Sequence, residues 1–184
     1  RHVGEDQWES SALGVWSVRD LVGHASRSIT MVERFGAERS TTADIKSPAH
    51  HYQVSLAPDA IDDQIADRGR IAGRELGDDP LNSIIESHQR VHAVIDGLPE
   101  DTVINYTNGG IRLGDYLQTR VLELVVHTLD LANAIGIEAK PPREALAVTL
   151  HLLADLAVDS GSGGQLALAA TGRALSSDRF SVLG

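Results

Sequence analysis

The stretch from Gly114 to Ile135 constrains this chain most. It carries no proline, and no glycine after its first residue. At about 100° per residue, Leu117, Val121, Leu122, Leu124, Val125, Leu129, Leu131, Ala132 and Ile135 fill about half of a helical wheel. Asp115, Thr119, Arg120, Glu123, His127, Asp130 and Asn133 fall in the other arc, interrupted by Tyr116, Val126 and Ala134. A helix this long with so broad an apolar arc must bury it against other elements. Composition says which kind. Hydrophobic residues are 42% and aromatics only 4%, so the core is mostly Leu, Val, Ile and Ala, which suits helices packed side by side.

The rest of the 184 residues supplies the partners. Ser17-Val18-Arg19-Asp20 reads as a capping box, and apolar residues at Val18, Leu21, Val22, Ala25, Ile29 and Val32 predict a helix over 17–36. A second helix is expected from Pro58-Asp59 to Leu76, and a third over 80–97, ended by Gly97 and Pro99. Residues 40–57 read as a long connection with a short extended piece at Tyr52–Leu56. Thr102–Thr107, Asn108-Gly109-Gly110 and Ile111–Leu113 fit a small hairpin. After Lys140-Pro141-Pro142 comes a last helix, 142–159. Gly161–Gly164 reads as a flexible break, and Gln165–Ala170 and Phe180–Leu183 as two short closing strands. The expected division is a helical domain over 1–137 and a small α+β piece over 138–184. The chain opens on Arg1 rather than Met, and a segment before it is expected.

Charge and cysteine usage exclude several functions. With 16 Lys+Arg against 26 Asp+Glu, the net charge is -10. That is the wrong sign for neutralising nucleic-acid phosphates or binding an anionic membrane surface. No apolar run approaches the ~20 residues that span a bilayer, and no signal peptide is visible. The expectation is a soluble cytoplasmic protein acting on a small molecule, with a homodimer left open. Cysteine is absent. There is no disulfide framework, thiolate metal site or cysteine nucleophile, so any thiol chemistry must use a thiol from a partner molecule.

Few residues remain to carry chemistry. Glu123 and His127 are four apart and share a helix face, a spacing that lets two side chains bind one metal. On spacing alone, a solvated face with an ordinary Glu–His pair stands ahead of that reading. His24, beside the apolar stripe of the first helix, is either a core-edge histidine bonded to backbone or a third ligand. Two His and one Glu would leave zinc an open fourth position, the pattern of catalytic sites. His88 and His92 form a competing pair that reads as a helix rim, and His50-His51 read as loop residues. There is no Gly-x-Ser-x-Gly elbow, Walker loop or Gly-x-Gly-x-x-Gly fingerprint. Asn105-Tyr106-Thr107 fits a glycosylation acceptor without a secretory context.

Three segments change the balance. Trp16-Ser17-Val18-Arg19-Asp20-Leu21-Val22-Gly23-His24, the Arg120–Leu131 pattern Arg-x-x-Glu-x-x-x-His-x-x-Asp-Leu, and Leu166–Arg173 with its Thr-Gly-Arg end resemble the mycothiol-dependent maleylpyruvate isomerase N-terminal family. That family lies within the DinB/YfiT-like metal-binding helical bundles. The resemblance implies a mainly α, DinB-like up-down four-helix bundle with a small α+β C-terminal extension, the first family helix being absent from this chain. It implies that His24, Glu123 and His127 bind a divalent metal, zinc first, with the polar arc of the long helix facing inward. Asp130 and Arg120 become candidates to orient His127 and Glu123. Arg173 becomes a candidate catalytic cation for a substrate carboxylate, the alternative being a surface arginine. The implied activity is a thiol-using isomerase or S-transferase, with mycothiol as cosubstrate and a small electrophile as substrate. A non-catalytic, stress-related metal-binding bundle and a metal-dependent hydrolase are the alternatives.

Overall fold

A capping box at Ser17 launches the helix around which the others pack. The computed structural model describes residues 3–55, 61–173 and 180–183. In it α1 (Val18–Gly36) starts where the Ser17 hydroxyl accepts from the Asp20 amide at 3.2 Å and the Asp20 carboxylate accepts from the Ser17 amide at 3.1 Å. Its stripe of Val18, Leu21, Val22 and Val32 is buried. Three helices pack against it: α3 (Ile61–Glu75), α4 (Pro80–Asp96) and α5 (Leu113–Ala134). Asp79 caps α4 by accepting from the Asn82 amide, and Pro80 begins it, the position where a missing N–H is harmless. α5 also carries α2 (Pro48–Ser55) and α6 (Arg143–Asp159), and α7 (Gly163–Ala170) rests on α6. The molecule is a mainly helical bundle with a small extension, as expected. No helix among the described residues is long and apolar enough to cross a membrane.

The α1–α3 contact is made by glycine. A Cβ at Gly23 would stand 2.1 Å from the Gly73 backbone nitrogen, and one at Gly73 would stand 2.8 Å from the Arg19 carbonyl. The two backbones therefore touch where neither has a side chain. One turn earlier on α3, Gly69 lies flat against the Trp16 indole, where a Cβ would meet the ring at 2.9 Å. Trp16 is pinned there by donating to the Ala66 carbonyl at 3.0 Å.

Two hairpins fix the ends of α1 and α5. β1 (Ser11–Leu13) and β2 (Trp16–Ser17) pair through a turn at Gly14, whose φ is 55°. β3 (Val103–Tyr106) pairs antiparallel with β4 (Gly109–Arg112) in the register Val103↔Arg112 to Tyr106↔Gly109, the hairpin that the Asn-Gly signal predicts. The connection after α1 is laced to it by bridges Arg39↔Ile104 and Ile45↔Ile111. Val32, Ile45, Val91, Ile104, Ile111 and Tyr116 close one core cluster there.

Three local expectations are corrected. Residues 48–55 are helical, where an extended piece was expected at Tyr52–Leu56; Leu56 lies outside the described residues. The signal was present in Ser47-Pro48. The Ser47 hydroxyl accepts from the His50 amide at 3.0 Å, and proline suits a first helical turn. Residues 165–170 lie in α7 rather than in a strand. Leu-Ala alternation fits either period over so short a run, but Ala and Leu are strong helix formers and no strand among the described residues pairs with them. Phe180–Leu183 forms no strand either; Val182 and Leu183 pack on the cluster between α2 and α6. The expected second helix is present from Ile61, its Pro58-Asp59 start lying outside the described residues.

Candidate metal centre

α1 and α5 deliver three side chains to one point. His24 follows Gly23 directly, so the close crossing with α3 sets its height. Glu123 and His127 share a face of α5 one turn apart. One ligand atom from each of His24, Glu123 and His127 lies within 4.8 Å of the others. His127 Nε2 is 3.3 Å from Glu123 Oε2, and the His24 and His127 rings stand edge to face at 4.7 Å. The His127 and Glu123 side chains are only 12% and 22% exposed. The solvated-face reading of this pair therefore fails: Glu123 meets Tyr52 of α2 and His127 meets His24 of α1.

Supporting groups hold the ligands in place. Asp130 Oδ2 lies 3.1 Å from His127 Nδ1. With Nδ1–H donating to Asp130, the tautomer assigned from this partner, His127 turns Nε2 to the centre. The Tyr52 hydroxyl donates to Glu123 Oε1 at 2.7 Å. Sequence reasoning gave that role to Arg120, but Arg120 Nε donates to Thr119 Oγ1 at 3.0 Å and the guanidinium lies over the Tyr116 ring at 4.9 Å. The Trp16 ring walls His24 at 4.5 Å.

Electrostatics sort the protonation states. Burial opposes ionisation of Glu123, yet hydrogen bonds from His127 and Tyr52, with the charges of Arg120 and His127, hold its carboxyl down at about 2. Burial also opposes charge on His127, but the bond and charge of Glu123, then Asp130, outweigh it and raise the imidazole above its ordinary value. His24 is depressed to about 4 by burial, then by His127, Arg27 and Arg68, against the pull of Glu123. The site thus holds an ionised carboxylate, an imidazole that burial keeps neutral, and an imidazole whose protonated form two carboxylates favour.

The other expected candidates lie elsewhere. His88 and His92 are exposed on α4 with their Nε2 atoms 3.1 Å apart, a helix rim that does not join the three ligands. Arg173 is exposed just after α7, donating to the Thr171 carbonyl at 3.0 Å; no described contact ties it to the centre. His51, expected in a loop, is on α2 and 3% exposed. Sequence reading missed both His51 and Tyr52, and the Ser-Pro helix start was the signal that could have found them.

The donors fit a divalent ion. His24 Nδ1 is buried without a hydrogen-bond partner, a state native interiors rarely tolerate. Two imidazoles and a carboxylate suit zinc among divalent ions. Fold and site together define a helical bundle with a two-histidine, one-glutamate candidate metal centre between two of its helices. The chain belongs to the mycothiol maleylpyruvate isomerase N-terminal domain family, whose model matches residues 1–132. No curated protein and no solved structure matches it.

Proposed function

We propose that this protein is a divalent-metal-dependent enzyme that uses a low-molecular-weight, mycothiol-like thiol against a small electrophile, as an isomerase or an S-transferase. The observation that carries the reading is the convergence of His24, Glu123 and His127 within 4.8 Å in a chain of a family named for a mycothiol maleylpyruvate isomerase. A divalent ion held by these three residues, zinc first, supplies Lewis acidity that stabilises a thiolate and lowers the thiol's pKa.

The chain's own residues prepare that chemistry. Glu123 is ionised and His24 neutral without rearrangement, so two of the three donors are ready to bind. Asp130 fixes the His127 ring, and Tyr52 fixes one Glu123 oxygen, leaving Oε2 toward His127. With no cysteine in the chain, the thiol comes from solution. The reading places the protein in the cytoplasm, where thiols stay reduced. Arg173 is retained as a cation for a substrate carboxylate on family resemblance alone.

Elemental analysis of the purified chain together with a thiol-conjugation assay tests this. The expected result is about one divalent ion per chain and product formation that requires thiol and stops on chelation. A blank metal analysis, or turnover indifferent to thiol, overturns it.

A further inference from the structure

His88 and His92 have no part in the centre between α1 and α5, and the fold gives them an arrangement of their own. They stand four residues apart in the second half of α4, which puts one ring a turn above the other on the same face. Both are exposed. Their Nε2 atoms lie 3.1 Å apart and their ring centroids 4.4 Å apart. Packing does not bring them together. The helix seats itself through Ser87 and Val91, and Arg90 pairs with Glu33 of α1 at 3.0 Å; the histidines stay outside that contact. Hydrogen bonding does not require it either, because an exposed imidazole finds water for both nitrogens.

The 3.1 Å separation is the bite of a chelate. Two nitrogens bound at about 2.0–2.1 Å to one ion stand about 2.8–3.0 Å apart at a right angle and about 3.3–3.4 Å apart at the tetrahedral angle. The pair lies between these values, so small ring rotations reach either geometry. The local field has the matching sign. α4 ends at Asp96 with no basic residue in its last turn, and His92 borders that turn. The partial negative charge of the helix C-terminus favours a cation held beside it. The net charge of -10 draws cations in the same direction at longer range.

We propose that His88 and His92 form a second metal site, a two-imidazole surface chelate for a divalent transition ion, with water in the remaining positions. Neutral nitrogen donors favour copper(II) ahead of nickel(II) and zinc, and they suit magnesium and calcium poorly. Among the described residues no third His, Cys, Asp or Glu stands close enough to join the pair. The site is therefore more open than one with three donors and a carboxylate charge, and its ion exchanges with supply. An ion there ties two turns of α4 together and stabilises the helix that packs on α1. The proposal does not depend on the α1–α5 centre holding a metal.

The test uses the full chain without an affinity tag, beside a His88→Gln/His92→Gln variant. Each is titrated with copper(II) in a non-coordinating buffer, followed by equilibrium dialysis and electron paramagnetic resonance. The wild type is expected to bind about one more copper(II) ion per chain than the double variant, and the extra signal to carry two nitrogen ligands. Ions taken up elsewhere on the chain are common to both proteins, so the difference counts this site. His88→Gln and His92→Gln singly should each weaken that ion by at least about tenfold, because a lone imidazole loses the effective concentration of its neighbour. Copper(II) should also raise the melting temperature of the wild type above that of the double variant, and magnesium should raise neither. Because both residues are exposed, an unchanged circular dichroism spectrum is expected of every variant. Equal copper(II) uptake by wild type and double variant, or single variants that bind as tightly as the wild type, overturns the site. A difference of one ion between two proteins that both leave the α1–α5 centre empty would instead remove the metal reading of that centre and leave this site standing.

Discussion

The Tyr52 hydroxyl donates to Glu123 Oε1 at 2.7 Å, joining α2 to α5 across 71 residues of chain. The hydroxyl is buried, and its ionisation is strongly disfavoured by burial and by the carboxylate beside it, so it keeps the proton that it donates. The short helix that sequence reading took for a connection is therefore what orients the acidic ligand.

Tyr52→Phe removes this donor and keeps the ring that packs between α2 and α6. Loss of a group that orients a metal ligand lowers affinity by about 10–100-fold. The expected outcome is that loss in a competitive zinc titration, with an unchanged circular dichroism spectrum. Unchanged zinc affinity would show that Glu123 needs no help from Tyr52.

Metal uptake should release a proton from His127. Its pKa is raised, so in the metal-free chain its stabilising contribution is complete below the unfolded value of about 6.5 and is lost as pH rises through the higher folded value. The metal competes with that proton, so metal affinity falls as pH drops. Chelation should lower the melting temperature clearly at pH 7.5 and little at pH 5.5, and His127→Ala should abolish activity and most of the zinc-dependent gain. Wild-type melting indifferent to chelator at both pH values would leave Glu123 and His127 as an ordinary internal pair.

Acid should expose the buried neutral histidines. His24 and His51 are both depressed to about 4, so between about pH 6.5 and 4 the unfolded chain takes up protons that the folded chain refuses. Stability falls over that window by up to about 1.4 kcal/mol per pH unit for each group. His51→Phe should remove about half of this acid slope, read from denaturant midpoints across the window. An unchanged slope would mean that His51 is solvated in the native state.

Gly23→Ala places a methyl group 2.1 Å from the Gly73 nitrogen, where backbone and not a flexible side chain must move. Overpacking at such a crossing should destabilise by about 3 kcal/mol or more. Gly164→Ala in α7 meets nothing within 4 Å and should stabilise by about 0.5–1 kcal/mol. Chemical denaturation of the two variants checks both, and comparable stability in Gly23→Ala would mean that the helices separate easily.

Much of this was legible along the chain because the long helices carry period, caps and breakers together. Ser17 with Asp20, Asp79 with Pro80, and the Asn-Gly turn each mark a boundary with local chemistry. The inward turn of Glu123 and His127 was not legible from the wheel. Periodicity tells which residues differ from which, but not that α1 and α2 would close over Glu123 and His127. Only the motif resemblance supplied that orientation. α2 was missed for a related reason: its buried residues, Ala49, His51 and Tyr52, make no recognisable stripe over eight residues. The supporting role of Tyr52 depends on a contact between distant segments, which no local pattern carries.

His24 is the residue immediately after the crossing where the α1 and α3 backbones touch at Gly23 and Gly73. In machinist's terms Gly23 and Gly73 are a hard stop. They set how far His24 projects toward α5 with a tolerance far smaller than a side-chain contact would allow, and no adjusting part lies between the stop and the first donor. Any change on α3 that shims the crossing is passed undiminished to that donor's reach. Substitutions at positions that never face the ligands should thus retune which ion fits, and the residues of α3 are where an engineer would turn that screw.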